Sequence, residues 1–219
     1  EDLSFCRVGS RLIFLDIGKD RYFQLPDHLE RGFVTYIDGH PGEPVTNALV
    51  EHGILLETTE PCEGPTPTFC QTAIRSVIED SANTVNLRPG VLLEVMRIVF
   101  STGQQLKRKS LKENLDKFAA YRQDRTLHAR HGNGKPMPQC LFDSSVAFMR
   151  ARRHVPINMT CLLDSLSMLR FLANRGLHAE VVFAVTCDPF SAHCWVQSGD
   201  IVLNDTVGSA NAHTPIWIL

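Results

Sequence analysis

NMTCLLDSLSMLRFLANRGL (residues 158–177), then EVVFAV (180–185), SAHCWVQ (191–197) and IVLND (201–205), is the stretch whose reading decides the fold. Leu162, Leu166, Leu169, Leu172 and Ala173 recur at helical spacing, with Asn158 placed to cap the start and Gly176 to close the end. Beyond Gly176 the period changes. Glu180–Val185, His193–Gln197 and Ile201–Asn204 are short β-branched or aromatic runs, divided by Cys187-Asp188-Pro189 and Ser198-Gly199-Asp200, and the last two runs read as a hairpin.

Three residues in this stretch carry chemistry. Cys161 falls in the first turn of the expected helix, where unpaired backbone N–H groups and the positive end of the helix dipole favour a thiolate and can hold an oxyanion. On the first hairpin strand His193, Trp195 and Gln197 share one face, whereas Cys194 and Val196 point the other way. A strand histidine facing a helix N-terminus can reach its thiol, and Asp205 at the end of the paired strand can hold the other imidazole nitrogen. Taken singly, the cysteine reads as a small buried hydrophobe, the histidine as a core residue and the Asn-Asp pair as a turn. Their joint occurrence, each at the element end where thiol catalysis needs it, favours the catalytic reading.

On the Cys-Leu helix, the Val-Val-Phe-Ala-Val strand, the Phe-Ser-Ala-His-Cys-Trp-Val strand and the terminal Leu-Asn-Asp, the chain resembles the transglutaminase-like leader peptidases of lasso-peptide biosynthesis, the B proteins. The resemblance implies a Cys-His-Asp cysteine endopeptidase with Cys161 as nucleophile, His193 as general base and Asp205 as orienting acid. Such an enzyme removes the leader of a ribosomally made precursor peptide (a RiPP precursor) before an asparagine-synthetase-like lasso cyclase closes the macrolactam. It also implies a small pocket for a threonine beside the leader's last position. Two positions depart from the family pattern: Gln197 stands where glutamate is usual, and Asp164 where a basic residue is common. No cofactor is required by this chemistry. ATP dependence is left open by the resemblance, without any phosphate-binding glycine motif in its support. Two rivals stay open, a transglutaminase-fold acyltransferase and a non-catalytic precursor-binding scaffold.

The opening of the chain has a different character. Residues 1–60 hold five Lys or Arg against eleven Asp or Glu, while the remainder is net basic. Leu3–Val8, Arg11–Ile17 and Arg21–Leu25 read as strands, and Asp27–Asp38 and Pro44–His52 as helices, with Asp27 as a cap and Gly39 and Gly53 as stops. The third strand is an edge to which an extended peptide could add, unless the following domain covers it. LIFLDIGKDRYFQLP (12–26) resembles the PqqD-like recognition element, a winged-helix-like module that binds leader peptides. That resemblance implies a leader lying along the third strand and the helix after it, with Tyr22, Phe23 and Leu25 as the residues to test first; Tyr22 and Phe23 point to opposite faces.

The expected fold class is therefore α+β: a winged-helix-like domain over 1–60, a linker over 61–72 marked by Pro61, Gly64, Pro65 and Pro67, and a transglutaminase-like cysteine peptidase domain over 73–219. Pro89–Thr102 and Leu111–Gln123 read as core-packing helices, and the stretch from Arg122 to Gln139 as a basic loop able to serve as a lid or docking surface. With 219 residues, 43% of them hydrophobic, the chain can bury ordinary cores. No apolar run approaches the ~20 residues of a membrane helix and no signal-peptide pattern opens the chain, so a cytoplasmic protein without membrane association is expected. Seven cysteines without a Cys-x-x-Cys pair point to reduced thiols. No metal is expected, because Cys194 and His193, which with Cys187 make the nearest approach to a ligand set, face opposite ways on a strand. Lys107-Arg108-Lys109 does not interleave with aromatics, and nucleic acid is not an expected partner.

Overall fold

The computed structural model describes residues 2–40, 43–56, 68–80, 88–127 and 137–219. It opens with an antiparallel sheet, β1 (Leu3–Val8), β2 (Arg11–Asp16) and β3 (Arg21–Phe23), in that spatial order, followed by helices α1 (Asp27–Ile37) and α2 (Glu43–Glu51). The uninterrupted apolar run Leu12–Leu15 has a physical reason, because both faces of this sheet are buried. Leu12 and Phe14 join Phe5, Leu25, Leu29, Phe33 and Leu49 in the core beneath the two helices. Ile13 and Leu15 join Cys6 and Ile17 in a second core shared with the rest of the chain. Aromatic edges lock the first core, with Phe33 meeting Phe5 and Phe14 at centroid distances of 5.0 and 5.2 Å. Glu30 ties α1 to the sheet by accepting the Leu12 N–H at 2.7 Å. The third strand ends at Phe23, two residues earlier than expected, and Pro26 rather than Asp27 occupies the cap of α1, Asp27 instead pairing with Arg11 at 2.6 Å.

The second unit is built on a five-stranded sheet of order β4-β7-β6-β5-β8. Its elements are β4 (Arg75–Ser76), α3 (Val77–Asp80), α4 (Pro89–Arg108), α5 (Leu111–Leu127), α6 (Met137–Arg152), α7 (Cys161–Ala173), β5 (Glu180–Cys187), β6 (Phe190–Ser198), β7 (Ile201–Val202), α8 (Val207–Asn211) and β8 (Thr214–Ile218). Helix α7 is the hub. It is surrounded by α4, α5, α6 and the sheet, and Leu163 together with every residue from Ser165 to Leu169 and from Phe171 to Ala173 is buried, so it is apolar nearly all round rather than striped. One face of the sheet (Val181, Phe183, Val185, Cys194, Val196) packs on α7, and the other (Val182, Ala184, Trp195, Val202) forms a smaller core with Ala73 and Ala210.

Several expectations are corrected. Helix α5 runs on to Leu127, so Arg122 and Arg125 lie on a helix and not in a loop; the Arg122 guanidinium donates to the carbonyls of Leu219 and Ala179 at 2.7 and 3.1 Å. Helix α4 extends to Arg108, and α6 and β8 had no sequence assignment. The basic stretch 128–136 lies outside the described residues, as does 57–67, which holds the prolines of the expected linker. Residues 68–72 lie against the second sheet, where the Thr68 hydroxyl donates to the Ile216 carbonyl at 2.9 Å and Gln71 meets Gln197. Among the described residues no helix is long and apolar enough to cross a membrane.

Candidate active site

Helix α7 begins at Cys161, with Thr160 in the extended conformation at its cap and making no capping bond; Asn158, the expected cap, lies two residues too early. Among the described residues the N–H groups of the first turn thus keep no side-chain acceptor and can donate to a developing oxyanion. At the other end Gly176, at φ 66°, lets its own N–H and that of Leu177 turn back onto the carbonyls of Ala173 and Leu172. The approach to Cys161 is held by Arg152 from α6, which is 3% exposed. Its Nε donates to Asp164 Oδ1 at 2.6 Å, and its terminal nitrogens donate to the carbonyls of Ile157 at 3.1 Å and Asn158 at 3.2 Å. An acid three residues after the cysteine is thereby accounted for, since it anchors the cation that shapes the preceding loop.

His193 lies on β6 opposite Ala184, with its ring on the Trp195 face. Its Nε2 is 2.5 Å from Asp205 Oδ2. That carboxylate also accepts the Ser209 hydroxyl at 2.9 Å and, through Oδ1, the Thr206 N–H at 2.7 Å, so it is fixed by the start of α8. With Nε2 engaged, Nδ1 is the nitrogen left for the thiol. Asn204 joins strand to helix: its Oδ1 accepts the Val196 N–H at 2.6 Å while its Nδ2 donates to Ser165 Oγ at 3.0 Å. Sequence reasoning missed both Arg152 and Asn204. Only Asn204 left a signal, standing beside Asp205 at a strand end.

The Cys161 thiol is held down to a pKa of about 4, first by a hydrogen bond from the Cys194 thiol and then by one from His193, against the opposing effect of burial. Cys194 points to the opposite face of β6 from His193, as alternation requires, and both act to lower the Cys161 thiol pKa. Cys194 itself, bonded to Cys161 and buried, is pushed far up and stays a thiol donor. His193 is raised to about 9 by its hydrogen bond to Asp205 and then by Cys161. Burial would raise Asp205, but the bonds from His193, Thr206 and Ser209 outweigh it and hold the carboxyl below its usual range. Both shifts favour a thiolate beside an imidazolium near neutral pH. Thiolate requires pH above about 4 and imidazolium pH below about 9, so the rate of Cys161 acylation is expected to follow a bell with limbs near those values. Stopped-flow acylation from pH 3 to 10 tests this, and an acid limb near the free-thiol value of ~8.5 would contradict it.

Gln197, the other departure from the expected pattern, is 2% exposed and fully bonded. It accepts the Trp195 indole N–H at 2.8 Å and donates to the carbonyls of Gln71 and Gly199 at 2.6 and 2.7 Å. A glutamate could not make the last two bonds. Cys187 accepts from Gln24 Nε2 at 3.4 Å and so faces β3. Among the described residues no group of three or more His, Cys, Asp or Glu gathers as a metal site. Of the residues expected along a leader, Leu25 is buried in the first core and Phe23 stacks on Phe14 at 5.3 Å, whereas Tyr22 turns toward the second unit and meets Phe190 at 5.7 Å.

A family model described as the transglutaminase-like superfamily matches residues 104–218, which span α7, the hairpin, Asp205 and all of β8. Comparison with curated proteins and with solved structures gives no match.

Proposed function

Because the chain belongs to the transglutaminase-like superfamily, we propose that it is a cysteine endopeptidase that binds the leader of a lasso-peptide precursor and cuts it from the core peptide. The observation that supports the reading is Cys161 at the N-terminus of α7, its thiol pKa lowered in part by His193, whose Nε2 lies 2.5 Å from Asp205 Oδ2. The Cys161 thiolate attacks the carbonyl at the leader–core junction, forming the S–C bond and moving the carbonyl pair onto oxygen. Collapse breaks the C–N bond as the His193 imidazolium gives its proton to the leaving amine. Neutral His193 then takes a proton from water, which attacks the thioester; the thiolate departs and the leader leaves as a carboxylic acid. The family fits hydrolysis and acyl transfer alike, and what favours hydrolysis of a peptide is the N-terminal unit.

That unit has the order β1-β2-β3-α1-α2, compatible with the winged-helix-like, PqqD-like recognition element resembled in sequence. With Leu25 buried and Phe23 stacked, an added peptide strand would use the backbone edge of β3, opposite its pairing with β2. The partners proposed are the precursor and an asparagine-synthetase-like cyclase, in the cytoplasm, where the six described cysteines, all free thiols, would stay reduced.

The test is intact-mass analysis of the precursor encoded beside this gene, incubated with the protein in H2¹⁸O, with and without the cyclase and with hydroxylamine as a competing acceptor. One ¹⁸O in the leader carboxylate is the expected result. Hydroxamate in place of acid, at acceptor concentrations far below that of water, would favour the acyltransferase, and an intact precursor would overturn the peptidase.

A further inference from the structure

His213 stands between α8 and β8, and its ring lies against the imidazole of His193. Across the sheet His193 on β6 pairs with Ala184 on β5, and Ala184 pairs with Pro215 on β8. Ala184 presents only a methyl group between the two outer strands. The imidazoles of His193 and His213 come together there with ring centroids 5.3 Å apart and planes at 44°, within the range of aromatic contact. Trp195, two residues along β6, meets the same His193 ring at 6.1 Å.

A hydrogen bond sets the His213 ring. Its Nδ1 is 2.9 Å from the Ser209 carbonyl oxygen, and because a carbonyl only accepts, Nδ1 carries the proton and donates. Ser209 is also the residue whose hydroxyl donates to Asp205 Oδ2 at 2.9 Å, the oxygen that lies 2.5 Å from His193 Nε2. The four residues therefore close a circuit: His193 to Asp205, Asp205 to Ser209, Ser209 to His213, and His213 back onto the His193 ring. A cap for the end of α8 would need only the Nδ1–H, so the ring contact is what that role leaves over. Asp205 holds the imidazole at one edge, and a single hydrogen bond fixes a distance better than the tilt of a ring; packing against a second ring opposes the tilt.

We propose that His213 is a positioning residue for His193: its ring, set by the bond to Ser209, keeps the imidazole in line with Asp205 while His193 serves as base in hydrolysis of the acyl-enzyme. His213 acts through His193 and transfers no proton itself. The inference rests on the thiol acyl chemistry proposed above but not on the identity of the peptide. In that step neutral His193 takes a proton from water as the water oxygen bonds the thioester carbon; the S–C bond then breaks, leaving the acid, the Cys161 thiolate and an imidazolium. A base that tilts out of line loses part of the roughly 10²–10⁴-fold that a positioned general base contributes.

Two variants separate the ring from the tether. His213→Asn keeps an N–H donor at the position of Nδ1 and deletes the far side of the ring, whereas His213→Phe keeps a ring and deletes the donor. With p-nitrophenyl acetate the burst of p-nitrophenolate reports acylation of Cys161, and the slower steady release reports deacylation. His213→Asn is expected to keep a full burst and to slow the steady rate about tenfold or more, with His213→Phe within about threefold of wild type. The His193 Nε2–H proton, carried downfield in the NMR spectrum by its bond to Asp205, should broaden or vanish in His213→Asn and persist in His213→Phe, a readout that needs no turnover. Unchanged deacylation and an unchanged resonance in His213→Asn would overturn the proposal and leave His213 as a cap of α8. A loss as large in His213→Phe would overturn it as well, since the ring would then not be what holds His193. A wild-type protein acylated by the ester but inert toward the precursor would strike only the leader-peptidase reading; one that is not acylated at all would overturn both.

Discussion

Cys161→Ala should abolish leader removal, lowering kcat/KM by about 10⁵–10⁶-fold as loss of a catalytic nucleophile does, while precursor affinity stays within about twofold. The separation follows from where the groups lie. Cys161 opens α7 in the second unit, and the edge of β3 proposed for the leader belongs to the first. The same change removes one of the two hydrogen bonds that raise His193, so its pKa should fall from about 9 toward the level set by Asp205 alone, which NMR titration of the ring would follow. Isothermal titration calorimetry and intact mass together decide the case. Residual cleavage within a hundredfold of wild type would remove Cys161 from the mechanism, and binding without any turnover by the wild type would return the scaffold to first place.

The second large effect concerns a residue with no reacting atom in reach. Arg152→Met should lower stability by about 3 kcal/mol, because it leaves the half-buried Asp164 carboxylate without its cation and the carbonyls of Ile157 and Asn158 without donors. For a chain of this size that corresponds to a fall in Tm of roughly 10 °C. Burial already pushes the Asp164 pKa up, and Arg152 is what opposes it, so in the variant this carboxyl should take up a proton at a higher pH. Arg152→Met with Asp164→Leu removes both charges and should recover a good part of the loss, since a buried ion pair replaced by apolar groups is often neutral. Activity should not return with stability, because the loop leading into Cys161 would still lack its donors. A single variant melting within about 2 °C of wild type would refute the anchoring role.

Much of the site was legible because its signals are local. Helical spacing from Leu162 to Ala173 put Cys161 in a first turn, and alternation along His193–Gln197 assigned each side chain to its face. The elements that escaped had no clean period. In α6 the buried positions include Ser145 and Arg152 beside Leu141, Val146 and Phe148, so no apolar stripe marks it, and Pro215 in β8 reads as a break although an edge strand tolerates it. The leader residues illustrate the same limit: alternation separated Tyr22 from Phe23, but not which of them meets its own core and which the catalytic unit.

By itself the sequence determined the α+β class, the thiol-bearing helix, the hairpin and the two polar residues that follow the thiol, since each is written in spacing along one element. Only the tertiary structure decided that Arg152 shapes the approach to Cys161, that Cys194 acts on the thiol from the opposite face of β6 to His193, and that Tyr22 turns from its own unit onto Phe190. Those contacts join elements far apart in the chain. Their partners are chosen by how helices and sheets pack, a property that no local period encodes.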